Sequence, residues 1–335
     1  MLKILHVSRH SSRMSSESLF AKALGEFGEF VIAADGDGMT DDEALPLMRE
    51  ADVLLTGWHA RRIPAALAED PGRVRYVLNL GGTCRSSVPI EIVRSGIPVT
   101  NWGDAPANCM AEGTMALLLA VLKDLRHRTE HAASVRKGTQ GEMRLVSGTL
   151  RGLRLGLYGC GAIGRRFVEL VSPFGPELLV YDPFAATLPE ALKRLGSLEE
   201  LFARCEAVVI LVGLSDETRG SVTSEFLSML PDHGVVINTA RGEIIDQDAL
   251  FAELKSGRLR AGLDVLVDDD YLDGHEAHTW PNAIITCHDI GSYSWPRRPG
   301  RLSEAAEIAL DNLRRFVAGE ELRFVMDEER YLLST

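Results

Sequence analysis

The sequence predicts an α/β protein of two doubly wound parallel-sheet domains, on three observations. Short β-rich runs alternate with helical stretches almost from end to end, the pattern of parallel sheets flanked by helices. At 335 residues the chain exceeds one ordinary core, since a domain usually holds roughly 100 to 200 residues. A glycine-punctuated polar segment, Arg136 to Gly152, separates two such alternating series and reads as a surface connection.

In the first series, strands are expected at Lys3 to Val7, Phe30 to Ala33, Val53 to Thr56, Val74 to Leu80 and Ile97 to Thr100. Thr40-Asp41-Asp42-Glu43 reads as a capping box that opens one of the intervening helices. After Asn101-Trp102-Gly103-Asp104 comes a long helix, Ala107 to Arg128, whose Ala, Leu and Met content suits burial. The second series places strands at Leu153 to Tyr158, Leu178 to Tyr181, Ala207 to Val212, Val235 to Asn238, Ala261 to Asp264 and Ala283 to Thr286. Six parallel strands make one doubly wound nucleotide-type domain. Leu302, Ala305, Ala306, Ile308, Ala309, Leu313, Phe316 and Val317 follow a helical spacing, and this tail is expected to return to the first domain. The expected division is therefore residues 1–102 with 290–335 as one domain and 103–289 as the other, with a cleft between them.

Composition removes several function classes. A formal charge of −12 opposes any role built on wrapping phosphate backbones, so no nucleic-acid partner is expected. No stretch of about twenty apolar residues offers a membrane span. The start, Met1-Leu2-Lys3-Ile4-Leu5-His6-Val7-Ser8-Arg9, lacks the apolar run of a signal peptide. Five scattered cysteines, Cys84, Cys109, Cys160, Cys205 and Cys287, form no C-x-x-C pair and read as reduced thiols of a cytoplasmic protein, not as zinc ligands. Trp58, Trp102, Trp280 and Trp295 read as packing residues.

The strand Leu153 to Tyr158 runs into Gly159-Cys160-Gly161-Ala162-Ile163-Gly164, and a helix-like segment follows. G-x-G-x-x-G at a strand-to-helix turn lets the backbone turn tightly, lets a pyrophosphate approach the main chain, and seats the helix on the strand. The next strand ends in Asp182, placed to accept from ribose hydroxyls. A carboxylate there repels the 2′-phosphate of NADP, and Pro183-Phe184-Ala185 offers no adjacent Arg, so NAD is the expected cofactor.

With Asn238-Thr239-Ala240-Arg241-Gly242-Glu243-Ile244-Ile245-Asp246, Gly262-Leu263-Asp264-Val265 and Thr286-Cys287-His288-Asp289-Ile290-Gly291-Ser292 in view, the chain resembles the D-isomer-specific 2-hydroxyacid dehydrogenase family over nearly its whole length. The resemblance implies a Rossmann NAD domain and a flavodoxin-like substrate domain. It also implies hydride transfer between NAD(H) and C2 of a small 2-hydroxy or 2-oxo acid, and a homodimer. It gives Arg241 the substrate's carboxylate and carbonyl oxygen, Asp264 the nicotinamide amide, and His288 the acid–base role. Gly159, Gly161, Ala162, Ile163, Gly164, Asp182, Gly213, Thr239, Ala240, Asp264 and Gly291 become the cofactor residues. A family Glu five positions beyond Asp264 would partner the His, and here that position is Asp269, with Asp289 as the rival. The family's substrate loop is Gly81-Gly82-Thr83-Cys84-Arg85-Ser86-Ser87, with Gly82 and Thr83 as carboxylate-binding amides. Arg85-Ser86 stands where relatives commonly carry Asp-Asn, so the particular acid does not carry over.

Elementary chemistry agrees with those roles. Hydride arriving at C2 puts negative charge on the carbonyl oxygen, which a protonated His can neutralise and a fixed guanidinium can stabilise. A carboxylate beside such a His orients it and favours the imidazolium. Arg85 is the unusual residue. It either holds a second anionic group of the substrate, or pairs with Glu91 or faces solvent. Two other functions fit the same fold, an NAD-sensing regulator or corepressor and a dehydrogenase of formate or phosphite.

Overall fold

The computed structural model describes residues 1–8, 18–34, 38–57, 60–132, 147–267, 274–286, 288–291 and 301–333. Asp269, Cys287, Trp58, Trp295 and most of the Arg136 to Gly152 connection lie outside the described residues. The chain divides into two units, Met1–Pro106 with Ser294–Thr335, and Ala107–Tyr293.

In the first unit, β1 (Leu2–Ser8), α1 (Leu19–Gly25), β2 (Gly28–Ala34), α2 (Asp41–Arg49), β3 (Val53–Thr56), β4 (Tyr76–Asn79), α3 (Ile90–Arg94) and β5 (Val99–Thr100) follow in order, alternating except that only a 3-10 turn, Ala65–Ala68, joins β3 to β4. The sheet order is β2-β1-β3-β4-β5, the flavodoxin order, and every strand pairing is parallel. Val53–Thr56 and Tyr76–Asn79 are buried along their whole length, because a parallel sheet is covered on both faces. Thr40 and Glu43 make the capping box reciprocally at the start of α2.

In the second unit, α4 (Ala107–Leu122) and α5 (Leu125–Ala132) precede β6 (Arg154–Tyr158), α6 (Ala162–Val171), β7 (Glu177–Tyr181), β8 (Lys193–Arg194) and α7 (Leu198–Arg204). Then come β9 (Ala207–Ile210), α8 (Ser224–Met229), β10 (Val235–Asn238), α9 (Gln247–Lys255), β11 (Arg260–Leu263) and β12 (Ala283–Ile285). The order β12-β11-β10-β9-β6-β7-β8 is the doubly wound dinucleotide sheet extended by one strand. Phe167, Leu155, Leu157, Val209 and Ile237 fill one face of it, and Phe202, Val208, Ile210 and Val236 fill the other. Trp280 packs edge-on against Phe251, with centroids 5.3 Å apart.

The first unit ends with α10 (Glu304–Ala318) and α11 (Glu328–Leu333). Leu310 and Leu313 of α10 pack on Ile4, Leu55 and Tyr76 of the first sheet. Gly319 caps α10 in the left-handed conformation.

Three elements differ from the sequence reading. The helix expected over Ala107 to Arg128 is two helices, because Asp124 adopts a left-handed φ of 52° while its buried carboxylate faces Arg260 at 3.9 Å. The edge strand β8 has no counterpart in the sequence pattern, since Lys193 and Arg194 are exposed and carry no apolar signal. The short helix α11 is too brief to show a period in the sequence.

Candidate active site

The second unit collects its chemistry at the carboxyl ends of adjacent parallel strands, where open α/β sheets bind ligands. Gly159 follows β6, with φ 93° and with the backbone of Val212 2.6 Å from where a Cβ would stand, so only glycine fits. Gly164 lies under the same turn, where a Cβ would meet the Gly159 carbonyl at 3.1 Å. At Gly161, the N-cap of α6, a Cβ would project into open space, so the backbone N–H groups at this helix start can be approached closely. A dinucleotide's pyrophosphate fits that cradle.

Asp182 follows β7 and is buried, and its carboxylate is already a structural acceptor. One oxygen takes the Cys160 N–H at 2.6 Å, and the other takes the N–H groups of Phe184 at 2.8 Å and Ala185 at 2.9 Å. The residue expected at the ribose therefore also ties the glycine turn to the loop after β7. Sequence reading found no Arg next to Asp182, but the fold supplies one. Arg194, carried back on β8, donates to the Asp182 carbonyl at 2.6 Å and to the Ala185 carbonyl, and Arg165 donates to the Thr187 carbonyl. Only the pairing of β7 with β8 reveals this neighbour. The loop after β9 is braced by Thr218, whose hydroxyl donates to the Gly213 carbonyl at 2.8 Å.

Arg241 follows β10. Asn238 at the strand end donates to the Arg241 carbonyl at 2.9 Å and accepts the Ala240 N–H at 3.0 Å, closing the turn. Gly242 is required there, because a Cβ would run into the backbone of Leu266. Arg241 is half-buried and Thr239 is buried.

β11 pairs with β10, and the next residue after it is Asp264, 1% exposed. Its Oδ1 accepts from the Thr286 hydroxyl at 2.6 Å and from the N–H groups of Asp289 and Ile290, each at 3.1 Å, while its carbonyl accepts the His288 N–H at 2.7 Å. His288 takes a left-handed φ of 52°, uncommon for any residue with a Cβ, and its side chain is exposed. Four bonds to one Asp hold the turn that presents the imidazole. Arg241, Asp264 and His288 thus share one edge of the sheet, and the side chain of Asp289 is exposed.

In the first unit, the loop after β4 is built on two asparagines. Asn79 donates to the carbonyls of Gly81 at 3.0 Å and Thr83 at 3.2 Å, and Asn101 donates to that of Gly82 at 2.8 Å. In a trans peptide the N–H points opposite the carbonyl, so the amides of Gly82 and Thr83 turn away from the asparagines that hold their neighbours. The indole edge of Trp102 stands against Gly82, where a Cβ would meet Nε1 at 2.7 Å. Cys84 is buried, and that burial pushes its thiol up to about 12. The Nε of Arg85 donates to the Tyr331 carbonyl in α11 at 3.1 Å, a partner the sequence reading did not offer.

Among the described residues no group of His, Cys, Asp and Glu side chains could hold a metal, and no helix is long and apolar enough to cross a membrane. A sequence model described as "D-isomer specific 2-hydroxyacid dehydrogenase, NAD binding domain" matches residues 115–289. A glyoxylate reductase of Thermococcus kodakarensis is 32% identical over 285 residues, covering 82% of this chain and 83% of that protein. A D-3-phosphoglycerate dehydrogenase of Methanocaldococcus jannaschii is 28% identical over 89% of this chain, which spans only 55% of that longer protein. The structure of Rhodotorula graminis D-mandelate dehydrogenase superposes with a TM-score of 0.80 at 22% identity, covering 98% of both chains, and so shares the fold. The family match and the identity shared with the glyoxylate reductase lead to one assignment: the chain belongs to the D-isomer specific 2-hydroxyacid dehydrogenases, as an NAD-dependent enzyme of that family.

Proposed function

We propose that this enzyme reduces small 2-oxo acids of the glyoxylate and hydroxypyruvate class to 2-hydroxy acids with NADH, and runs the reverse oxidation with NAD. The observation that carries the reading is the pair of turns at the carboxyl ends of β10 and β12, the two neighbours of β11, one bearing Arg241 and the other presenting His288 on its four-bond seat at Asp264. Bound NADH supplies the hydride that C2 of the oxo acid receives. Arg241 holds the carboxylate and carbonyl oxygen through its planar fork, and stabilises the charge that grows on that oxygen. The imidazole of His288 gives the oxygen its proton, and takes one back in the oxidation. Asp269 is proposed as the partner that orients this His. Gly82 and Thr83 are proposed to give their amides to the substrate's carboxylate.

The cofactor roles follow the same reading. Gly159, Gly161, Ala162, Ile163 and Gly164 would cradle the pyrophosphate, Asp182 and Gly213 the adenosine, and Thr239, Ala240, Asp264 and Gly291 the nicotinamide end. The Asp182 carboxylate supports NADH over NADPH. Family resemblance further supports a homodimer, which light scattering on the purified chain would test, and the scattered cysteines without a C-x-x-C pair support a cytoplasmic location. The deciding experiment is a panel of glyoxylate, hydroxypyruvate, pyruvate, phenylpyruvate and phosphorylated or dicarboxylic 2-oxo acids with saturating NADH, repeated with His288→Ala. Turnover of the smallest acids is expected, falling about a hundredfold or more in the variant while NADH still binds. Absence of turnover across the panel, or a fully active His288→Ala, would overturn the proposal.

A further inference from the structure

The N-terminal half of α4 touches both turns that carry the proposed chemistry. Met110, Gly113 and Thr114 lie at i, i+3 and i+4, and so on one face of the helix. Thr114 places its hydroxyl 2.8 Å from that of Thr239, two residues before Arg241, while also donating to the Met110 carbonyl at 2.7 Å. Gly113 faces the turn after His288, where a Cβ would stand 2.6 Å from the Ile290 carbonyl and 2.9 Å from its Cγ1. Met110 fills the space beside Gly291, where a Cβ would collide with the thioether sulfur.

The same face continues one and two turns later with Leu117 and Val121, which seat the helix on the sheet. A Cβ at Gly262 in β11 would meet Leu117 Cβ at 3.2 Å and Val121 Cγ2 at 3.3 Å. The helix is thus fixed by its lower half on strands β10 and β11 and reaches past their ends with its upper half. A glycine in the middle of a buried helix weakens that helix, and here it allows the backbone of the His288 turn to lie against it.

We propose that the Met110–Thr114 turn of α4 is a positioning element that sets the spacing between Arg241 and His288, with Gly113 and Thr114 as its two positioning residues. This rests on the catalytic roles proposed for Arg241 and His288. Neither Gly113 nor Thr114 acts on the substrate. Thr114 holds the turn of Arg241 at one height, Gly113 sets the height of the His288 turn, and both dimensions are carried by one rigid helix. A displacement of about 1 Å in either turn is enough to cost one to two orders of magnitude in rate.

The test uses the full chain with three substitutions, Gly113→Ala, Thr114→Val and Thr114→Ser, assayed for glyoxylate reduction with NADH, alongside NADH affinity by fluorescence quenching and thermal unfolding. Gly113→Ala is expected to lower kcat about tenfold or more while NADH affinity stays within about threefold. Thr114→Val, which keeps the shape but loses the hydroxyl, should lower kcat, and Thr114→Ser, which keeps the hydroxyl, should restore most of it. A role in stability alone would move the unfolding midpoint and leave kcat and its pH profile in place. If Gly113→Ala does not fold, the Thr114 pair decides alone. Equal kcat in the Ser and Val variants, or kcat within about twofold of wild type in both Gly113→Ala and Thr114→Val, overturns the proposal provided His288→Ala is inactive. An active His288→Ala would instead refute the catalytic reading on which it rests.

Discussion

Asp264 and the backbone turn at His288 form one unit, since the His288 N–H donates to the Asp264 carbonyl at 2.7 Å and Asp264 Oδ1 accepts the N–H groups of Asp289 and Ile290 that follow it. The left-handed φ of His288 costs energy for a residue with a Cβ, and persists only when its surroundings over-determine it. Asp264 supplies that determination. Asp264→Ala should therefore lower kcat about a hundredfold and destabilise the fold by roughly 1–3 kcal/mol, whereas Asp264→Asn, which keeps an oxygen at Oδ1, should lose less of both. Kinetics and chemical denaturation on the two variants check this. Equal effects of Ala and Asn would separate the His288 turn from the Asp264 oxygen.

Asp182 is a second residue with two duties. Because it binds the Cys160 N–H as well as the loop after β7, Asp182→Ala should raise KM for NADH by about tenfold by loosening the glycine turn, with a smaller gain for NADPH than charge removal alone would give. Arg194→Ala on the wild-type background should lower residual NADPH turnover more than NADH turnover. Side-by-side kcat/KM values for both cofactors decide. A clean switch to NADPH in Asp182→Ala would mean that the structural bonds matter little.

Two buried thiols should make stability fall at high pH. Burial pushes Cys84 and Cys205 up to about 12, above the ordinary thiol value of 9.0 that the unfolded chain regains. For an acid whose folded value is raised, the contribution is fully present below 9.0 and is lost as pH climbs from there towards 12. The urea midpoint should hold through pH 8 and then decline, at up to about 1.4 kcal/mol per pH unit for each thiol. Cys84→Ala with Cys205→Ala should flatten that decline. A decline unchanged in the double variant would place its cause elsewhere.

Much of this architecture was legible in the sequence because parallel strands buried on both faces are written as unbroken apolar runs, as in Ala-Val-Val-Ile at 207–210 and Val-Val-Ile at 235–237. The glycine turn was legible for a similar reason, since its backbone tolerates no other residue at Gly159. What stayed hidden depends on pairing across the fold. Arg194 follows Asp182 by twelve residues, and only the β7–β8 pairing places its guanidinium on the Asp182 carbonyl. Gly113 reads as an ordinary weak point in a helix until Ile290 is seen against it. Thr114 carries no signal, because a hydroxyl's partner 125 positions away leaves no local pattern.

Arg85 offers the last test, and the structure changes what it should show. Its Nε donates to the Tyr331 carbonyl at 3.1 Å, its own carbonyl accepts from Arg62 at 2.7 Å, and the Tyr331 hydroxyl donates to the Val88 carbonyl at 2.7 Å. The two bonds to Tyr331 fasten α11 to the segment that follows Gly82 and Thr83, and the Glu328–Arg94 ion pair adds a further tie from α11 to α3. The C-terminal carbonyl of a helix is a favourable partner for a guanidinium, so the tether has electrostatic support. Arg85→Ala should therefore loosen the loop and reduce kcat/KM by a similar factor for glyoxylate, pyruvate and phosphorylated or dicarboxylic 2-oxo acids. A guanidinium bound to a distal anion would behave otherwise. It would raise KM for substrates with a second negative charge and leave the monoanions nearly unchanged, because a distal contact is made equally in ground and transition states. Deleting residues 328–335 separates the two cases. With a tether, the deletion reproduces the uniform loss of Arg85→Ala and adds little to it when the two are combined. With a distal anion site, the deletion leaves the charge selectivity of the panel in place.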